Sequence, residues 1–439
     1  MERRGADRAG GRARPGRGGG QRAGPRHGPR PRGGPQEVHR CPAGGDPGNP
    51  PVTRLICLEP GDPGAAWAPF TGSRPLAELR AGAWRIHERW AGVLDVTDVT
   101  VMGAHTPGFV DADVAPLRPP GPIAGPAVVA RSDFAPAGQR VDLDEDVGRL
   151  THGGQIVAWI VPEGETWAAP KAWGDALPVE GLLLRGAWDL VTALERLLPA
   201  DCAGCRSVLA EPVPAGSIVL GEPSDVVCLG AEVEPGVVFD VRHGVVVLGE
   251  GVEVRAGTRL EGPLFVARET FLLGGAIRHS AIGPRCRVHG EVSSSVFLGY
   301  ANKSHDGFLG HSVVGQWANL GAGTITSNLK NTYGEVRLDL PGGRMPTGRT
   351  NLGALLGDHA KTAIGTLLST GTVVGAGASL VGAPVPRWVR PFAWGADGAE
   401  TLDQEGFVKI ARRVMPRRHV EVGAAMEASL RALHARLAR

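Results

Sequence analysis

No stretch of this 439-residue chain approaches the ~20 consecutive apolar residues of a membrane-spanning helix, and no leader with an apolar centre opens it. The sequence is therefore read as that of a cytoplasmic protein. Cysteine is sparse: Cys41, Cys57, Cys202, Cys205, Cys228 and Cys286 are scattered, a pattern of reduced thiols rather than a disulfide framework. Cys202-Ala-Gly-Cys205 has the spacing of zinc ligands, but zinc takes four ligands and no second pair follows. Residues 1–50 lack both lysine and aromatics; their eleven Arg and four acids (Glu2, Asp7, Glu37, Asp46) give a net charge of +7, leaving −5 for the rest. Such an Arg-Gly-Pro segment cannot build a core and is expected to be disordered. Sense begins abruptly at Val52, so the preferred reading of residues 1–52 is a misplaced translation start, with a solvated tail or a nucleic-acid arm as alternatives.

What is present divides into two domains with different punctuation. Residues 53–205 alternate short apolar runs with segments of helical period, the pattern of an α/β unit. Leu55–Leu58, Ala127–Ala130 and Ile156–Val161 are expected strands. Ala77–Trp90 and Ala187–Leu198 are expected helices, the first burying Leu79, Ala83, Ile86 and Trp90. Seven of the ten Trp lie here, as core and interface filling.

Residues 206–395 change to an aliphatic residue followed by Gly, recurring near multiples of six. Leu248, Val254, Leu260, Val266 and Leu272 keep strict steps of six, as do Phe308, Val314 and Leu320, and Leu368, Val374 and Leu380. Each rung should turn a corner and point one side chain to a common axis, which is a left-handed parallel β-helix of the hexapeptide-repeat kind. Gly at the corners suits tight backbone passage or positive φ. The ladder breaks at residues 293–304 and 330–362, where loops are expected to leave the prism and carry chemistry. Residues 396–439 are expected to form a helical tail, with Ala425, Ala428, Leu433 and Leu437 packing on the prism's open end as a cap or on a neighbour.

The segment from Gly299 to Asn328 carries His305, then Phe308-Leu-Gly310, then Asn319-Leu-Gly-Ala-Gly-Thr-Ile-Thr326 and Asn328. It resembles the acetyltransferase half of the bifunctional N-acetylglucosamine-1-phosphate uridyltransferase and glucosamine-1-phosphate N-acetyltransferase family. Arg74-Pro-Leu-Ala-Glu-Leu-Arg80, Asn302–Phe308, Gly357-Asp-His-Ala-Lys361 and Thr370–Gly375 are similar to a variant, sugar-nucleotidyltransferase branch of that family. The resemblance implies acetyl transfer from acetyl-coenzyme A to an amino sugar or sugar phosphate, with His305 as general base, since a neutral imidazole accepts a proton near pH 7. It implies substrate contacts at Asn319, Asn328, Phe308, Lys303 and Lys330, coenzyme contacts at Lys361, Thr366 and Ser369, and a homotrimer. It also implies a nucleotidyltransferase-like N-terminal domain that meets a nucleoside triphosphate through Gly72, Ser73, Arg74 and Arg80, with Mg2+ at Asp133.

The sequence departs from the family in two places. Ser293-Ser294 stands where the family has a Lys pair for sugar phosphate, and Phe308 and Leu329 replace two Tyr. The phosphate loop is reduced to Pro69-Phe-Thr-Gly-Ser-Arg-Pro75, so the N-terminal domain reads as degenerate. Two other functions fit the scaffold: a non-catalytic sugar-nucleotide sensor, and a hydratase with a metal held by His305 and His311 plus His279 or His289.

Overall fold

In a computed structural model the described residues are 54–208, 210–382, 385–395 and 398–438. The expectations for residues 1–52 lie outside them. No helix among the described residues is long and apolar enough to cross a membrane. Cys57, Cys202, Cys228 and Cys286 are free and buried, as expected of reduced thiols.

The N-terminal domain is built on a seven-stranded sheet. Its strands are β1 (Arg54–Leu58), β2 (Asp98–Met102), β3 (Leu117–Arg118), β4 (Ala127–Arg131), β5 (Val147–His152), β6 (Gln155–Val161) and β7 (Asp175–Pro178), in the order β7-β5-β6-β4-β1-β2-β3. The apolar runs at Leu55 and Ala127 lie centrally, buried on both faces and paired in parallel. The helix predicted over residues 77–90 is shorter than its period suggested. Gly82, at φ 66°, turns Arg80–Ala81 back on Trp84–Arg85 as a hairpin, and α1 runs only over Ile86–Leu94. A second helix, α2 (Asp189–Gly204), closes the domain.

From Ile218 onward the chain coils as a left-handed three-sided β-helix. The first face holds nine parallel strands, from Val226–Cys228 to Trp388–Val389. The second runs from Glu232–Val233 to Ala393–Gly395, and the third from Ile218–Leu220 to Leu367–Leu368. Every ladder residue named from the sequence points into the prism core except Phe308. The bulge at residues 304–308 shifts the register by one, so Leu309 points inward in its place.

Corner glycines act mostly through close approach rather than positive φ. A Cβ at Gly283 would lie 2.3 Å from the Leu298 carbonyl, and one at Gly315 would lie 2.4 Å from the Gly357 carbonyl carbon. Residues 293–303, expected to leave the prism, stay in it as the strands Val296–Phe297 and Asn302–Lys303. The large excursion is residues 327–354, which carries the hairpin Arg337–Leu340/Gly343–Pro346.

The first face is apolar on both sides. Val246 and Leu248 point inward while Val247 points outward, and Val227, Phe265, Val296 and Val313 also point outward to join the core of the N-terminal domain. Val336, Leu338 and Leu340 of the excursion cover the rest of this face.

The edge between the first and second faces carries a column of left-handed residues: Glu269, Arg285, Tyr300, Trp317, His359 and Phe392, with φ between 54° and 65°. The tail packs on this column. Helix α3 (Gln404–Val414), the turn at Met415 and helix α4 (Ala424–Leu437) bury Phe407, Met415, Met426, Leu430 and Leu433 against Tyr300, Trp317 and Phe392. Of the tail residues expected to pack, Leu433 is buried and Leu437 half-buried against this cluster, while Ala425 and Ala428 are exposed. The tail thus clamps a prism edge.

Candidate active face and basic cleft

The structure sorts the sequence-derived site residues into separate places. His305 sits on the bulge at the edge between the second and third faces, with its side chain exposed. Its backbone is held from beneath. Lys303 stands in register with Val288 in an inward-facing column and is 2 % exposed. Its ammonium donates to the carbonyls of His289 (3.0 Å) and His305. Burial pushes the Lys303 ammonium down to about 8. Lys303 is therefore a strut beneath the His305 loop and not a substrate contact. Asp306, next to His305, places a carboxylate oxygen 3.3 Å from His289 Nδ1.

The third face runs from His305 to the next edge, at His311. Phe308 lies on it, and Asn328 arrives from the neighbouring coil. A Cβ at Gly310 would touch both the Phe308 ring (2.4 Å) and Asn328 Nδ2 (2.8 Å), so the tripeptide Phe308-Leu-Gly310 needs its Gly to bring them together. Asn328 Nδ2 donates to His311 Nδ1 at 2.8 Å. Burial, then Arg349, lowers the His311 pKa and keeps that ring neutral as an acceptor. Ile325 and Leu367, in register on the same face, are 42 % and 59 % exposed.

Asn319 and Lys361 lie elsewhere, in one outward column of the second face that reads Arg287, Asn302, Asn319, Lys361. They line a cleft of about 290 Å³ whose other wall is the 3-10 turn Met415–Arg418 of the tail. Thr366 is buried with its hydroxyl donating to the Ala363 carbonyl, and Ser369 is exposed. Lys330 donates to the Glu335 carbonyl within the excursion.

In the N-terminal domain the expected phosphate loop is closed. The Arg74 guanidinium is 1 % exposed and pairs with Asp111 at 2.7 Å and with Asp358 of the prism at 2.9 Å. Burial opposes its charge, but Asp358 and Asp111 outweigh that and raise its pKa. The Ser73 hydroxyl donates to Phe70, and the Gly72 carbonyl accepts from Arg436 of α4 at 2.6 Å. Arg80 is buried, donates to the Ala83 carbonyl, and is pulled down to about 10 by desolvation. Asp133 is held bidentately by Arg131 at 2.7 and 2.8 Å. No group of three or more His, Cys, Asp or Glu side chains that could hold a metal ion occurs among the described residues. The residues present do not fit a divalent ion at Asp133.

That same geometry separates the His pairs of the hydratase reading. His305 and His311 occupy different edges of the prism, and His279 and His311 share theirs with Ser294 between them.

Sequence reasoning missed Glu59. It follows β1 at the carboxyl ends of the parallel strands, the usual ligand crevice of α/β folds. Its carboxylate accepts from the amides of Leu76 (2.7 Å) and Ala77 (2.9 Å), and His105 lies 3.5 Å away. Burial raises its pKa to about 7. An acid directly after a first strand was the available signal.

No family model matches the chain. It is similar to a bifunctional sugar-1-phosphate nucleotidylyltransferase/acetyltransferase of Sulfurisphaera tokodaii, 31% identical over 156 residues, which cover 33% of this chain and 37% of that protein. It is also similar to the bifunctional protein GlmU of Methanococcus vannielii, 33% identical over 93 residues, 21% of this chain and 22% of that protein. The GlmU of Methanocaldococcus jannaschii is 32% identical over 85 residues, 19% of this chain and 21% of that protein. The chain thus spans little more than a third, at most, of the curated relatives it matches, and its likeness is to bifunctional sugar-phosphate transferases at low identity and partial coverage.

Proposed function

We propose that this protein transfers an acetyl group from acetyl-coenzyme A to the amine of an amino sugar or amino sugar phosphate on the third face of the prism. The observation that carries the reading is the common placement of His305, Phe308 and Asn328 on that face, with the His305 loop propped by Lys303. His305 takes a proton as the amine nitrogen bonds to the thioester carbonyl carbon. The tetrahedral intermediate then collapses, the carbon–sulfur bond breaks, and the proton passes to the departing thiolate. Phe308 offers an apolar surface for a sugar ring, and Asn328 a directional polar contact. The names of the relatives, which pair acetyltransferase with nucleotidylyltransferase, support the class.

Ser293 and Ser294 supply no charge for a sugar phosphate, which favours an acceptor with less phosphate. With Arg74 committed to two carboxylates and Gly72 tied to α4, the N-terminal domain serves as a scaffold and not as a nucleotidyltransferase. The exposed Ile325 and Leu367 favour a homotrimer that buries the third face between neighbours, and Leu367→Glu should convert it to monomers in light scattering.

Purified protein given acetyl-coenzyme A and a panel of amino sugars should release free thiol. His305→Ala should lower that rate by about 10²–10⁴-fold. Absence of thiol release with every acceptor, or full activity in His305→Ala, would overturn the reading.

A further inference from the structure

Four cations converge on the cleft between the second face and the tail: Arg287 and Lys361 from the prism, Arg417 and Arg418 from the turn Met415–Arg418. No acidic side chain lines it. None of the four takes part in an ion pair among the described residues; Arg287, Lys361 and Arg418 are half-buried and Arg417 is exposed at the rim. Their polar contacts are neutral. Lys361 donates to the His359 carbonyl at 2.9 Å, Arg418 to the Asn302 side chain at 3.4 Å and to the Arg417 carbonyl at 3.3 Å, and the Arg287 guanidinium lies 5.2 Å above the Phe271 ring. Arg418 Nε is buried without any partner.

Gathering like charges in a partly desolvated cleft costs free energy, through loss of hydration and through mutual repulsion. Burial alone takes the Lys361 ammonium down to about 8, and for Arg418 burial comes first, then Arg287 and Arg417, all lowering. A fold that keeps such a cluster without counter-charges is built to receive one.

We propose that this cleft is a binding site for a diphosphate group, free or within a nucleoside diphosphate ligand, and that the tail supplies half of it. Three features favour diphosphate over a single small anion. The charge of about −3 on a diphosphate matches four cations better than a lone sulfate does. The cations stand on opposite walls, so a two-centre anion spans them. The volume, about 290 Å³, is at the lower end for small-molecule sites and exceeds what one tetrahedral anion fills. Guanidinium groups chelate adjacent oxygens in pairs, a chemistry that Arg417 and Arg418 supply from one wall.

The walls are rigid before any ligand arrives. Tyr300 and Trp317 form the floor with ring centroids 4.3 Å apart, and Met415, fully buried, anchors the turn that bears the two Arg. The Arg418 carbonyl accepts from Arg285 at 3.0 Å. Asn302 donates to Asn319 Oδ1 at 2.8 Å, which turns the Asn319 amide N–H groups toward the cleft as further donors.

The site lies on the second face, away from His305, and although it includes Asn319 and Lys361, diphosphate binding is read without thiol release, so this proposal and acetyl transfer can fail separately. The test is titration of the full chain with sodium pyrophosphate, ADP and sulfate, followed by calorimetry and by thermal unfolding. Pyrophosphate or ADP should bind saturably and raise Tm, with sulfate at least ~10-fold weaker. Tighter binding of ADP identifies the diphosphate of a nucleotide, and equal or tighter binding of pyrophosphate identifies the free anion. Arg418→Gln and Lys361→Met should each weaken binding by ~10-fold or more while the unliganded Tm stays or rises. Binding that is absent for both diphosphates, that is matched by sulfate, or that persists undiminished in both folded variants overturns the proposal.

Discussion

Two charged regions flank the same prism and have opposite chemistry. In the N-terminal domain and its joint with the prism, three buried or half-buried guanidinium groups are matched by acids: Arg74 with Asp111 and Asp358, Arg85 with Glu78 and Glu88, and Arg89 with Asp201. In the cleft beneath the tail, four cations have no carboxylate. The first arrangement is a joint, whose charges satisfy one another. The second is a receptor, whose charges await a partner from outside. The difference teaches that burial of charge alone does not mark a site; several like charges gathered on one cleft without a carboxylate do, whereas a lone buried cation such as Lys303 or Arg80 is satisfied by backbone carbonyls.

The comparison is broken most severely at the joint. Arg74→Met should strand two buried carboxylates and cost about 3–5 kcal/mol, seen as a large fall in Tm and urea midpoint. Next comes Glu59. Its folded pKa of about 7 lies above its ordinary 4.5, so its contribution to stability is complete below 4.5 and is lost as pH rises through 7. The unfolding free energy from urea titrations should fall over that window by on the order of 3 kcal/mol in the wild type, while Glu59→Gln, which does not titrate there, should lack that fall.

Lys303 comes third, and it separates stability from activity. Its folded pKa of about 8 lies below the ordinary 10.5, so the cost of its charge is full below 8 and fades as pH rises toward 10.5. Lys303→Met should therefore gain about 1 kcal/mol at pH 7, lose that advantage by pH 10.5, and yet slow thiol release by freeing the His305 loop. The smallest effect belongs to the receptor. Without added anion, Arg287→Met should change stability by less than ~1 kcal/mol or raise it, the reverse of Arg74→Met.

The β-helix was legible because a six-residue period leaves one aliphatic residue per rung, and nearly all of those residues do face the axis. The central strands of the N-terminal sheet were equally legible as unbroken apolar runs. The helix over residues 77–90 was over-read because Gly82 at positive φ overrides a helical period. At the site, the grouping of Phe308 with Asn328 follows the motif. The roles of Lys303 and Arg74 do not, since a one-residue register choice decides whether a side chain meets solvent or core, and that choice is invisible in composition. The cleft was half visible: Asn319 and Lys361 stood out, but Arg417 and Arg418 join them only through the return of the tail.

The left-handed column along one prism edge has a consequence for how such a molecule can change. Coiled repeats ordinarily lengthen by duplicating a rung, which adds ~4.8 Å to the stack. Here one tail grips Arg285, Phe392 and the loop at Gly72 at once. An added or deleted rung between Arg285 and Phe392 would pull those grips out of step by a full coil. The tail is thus a ruler, and it holds a fold built for modular growth to one length.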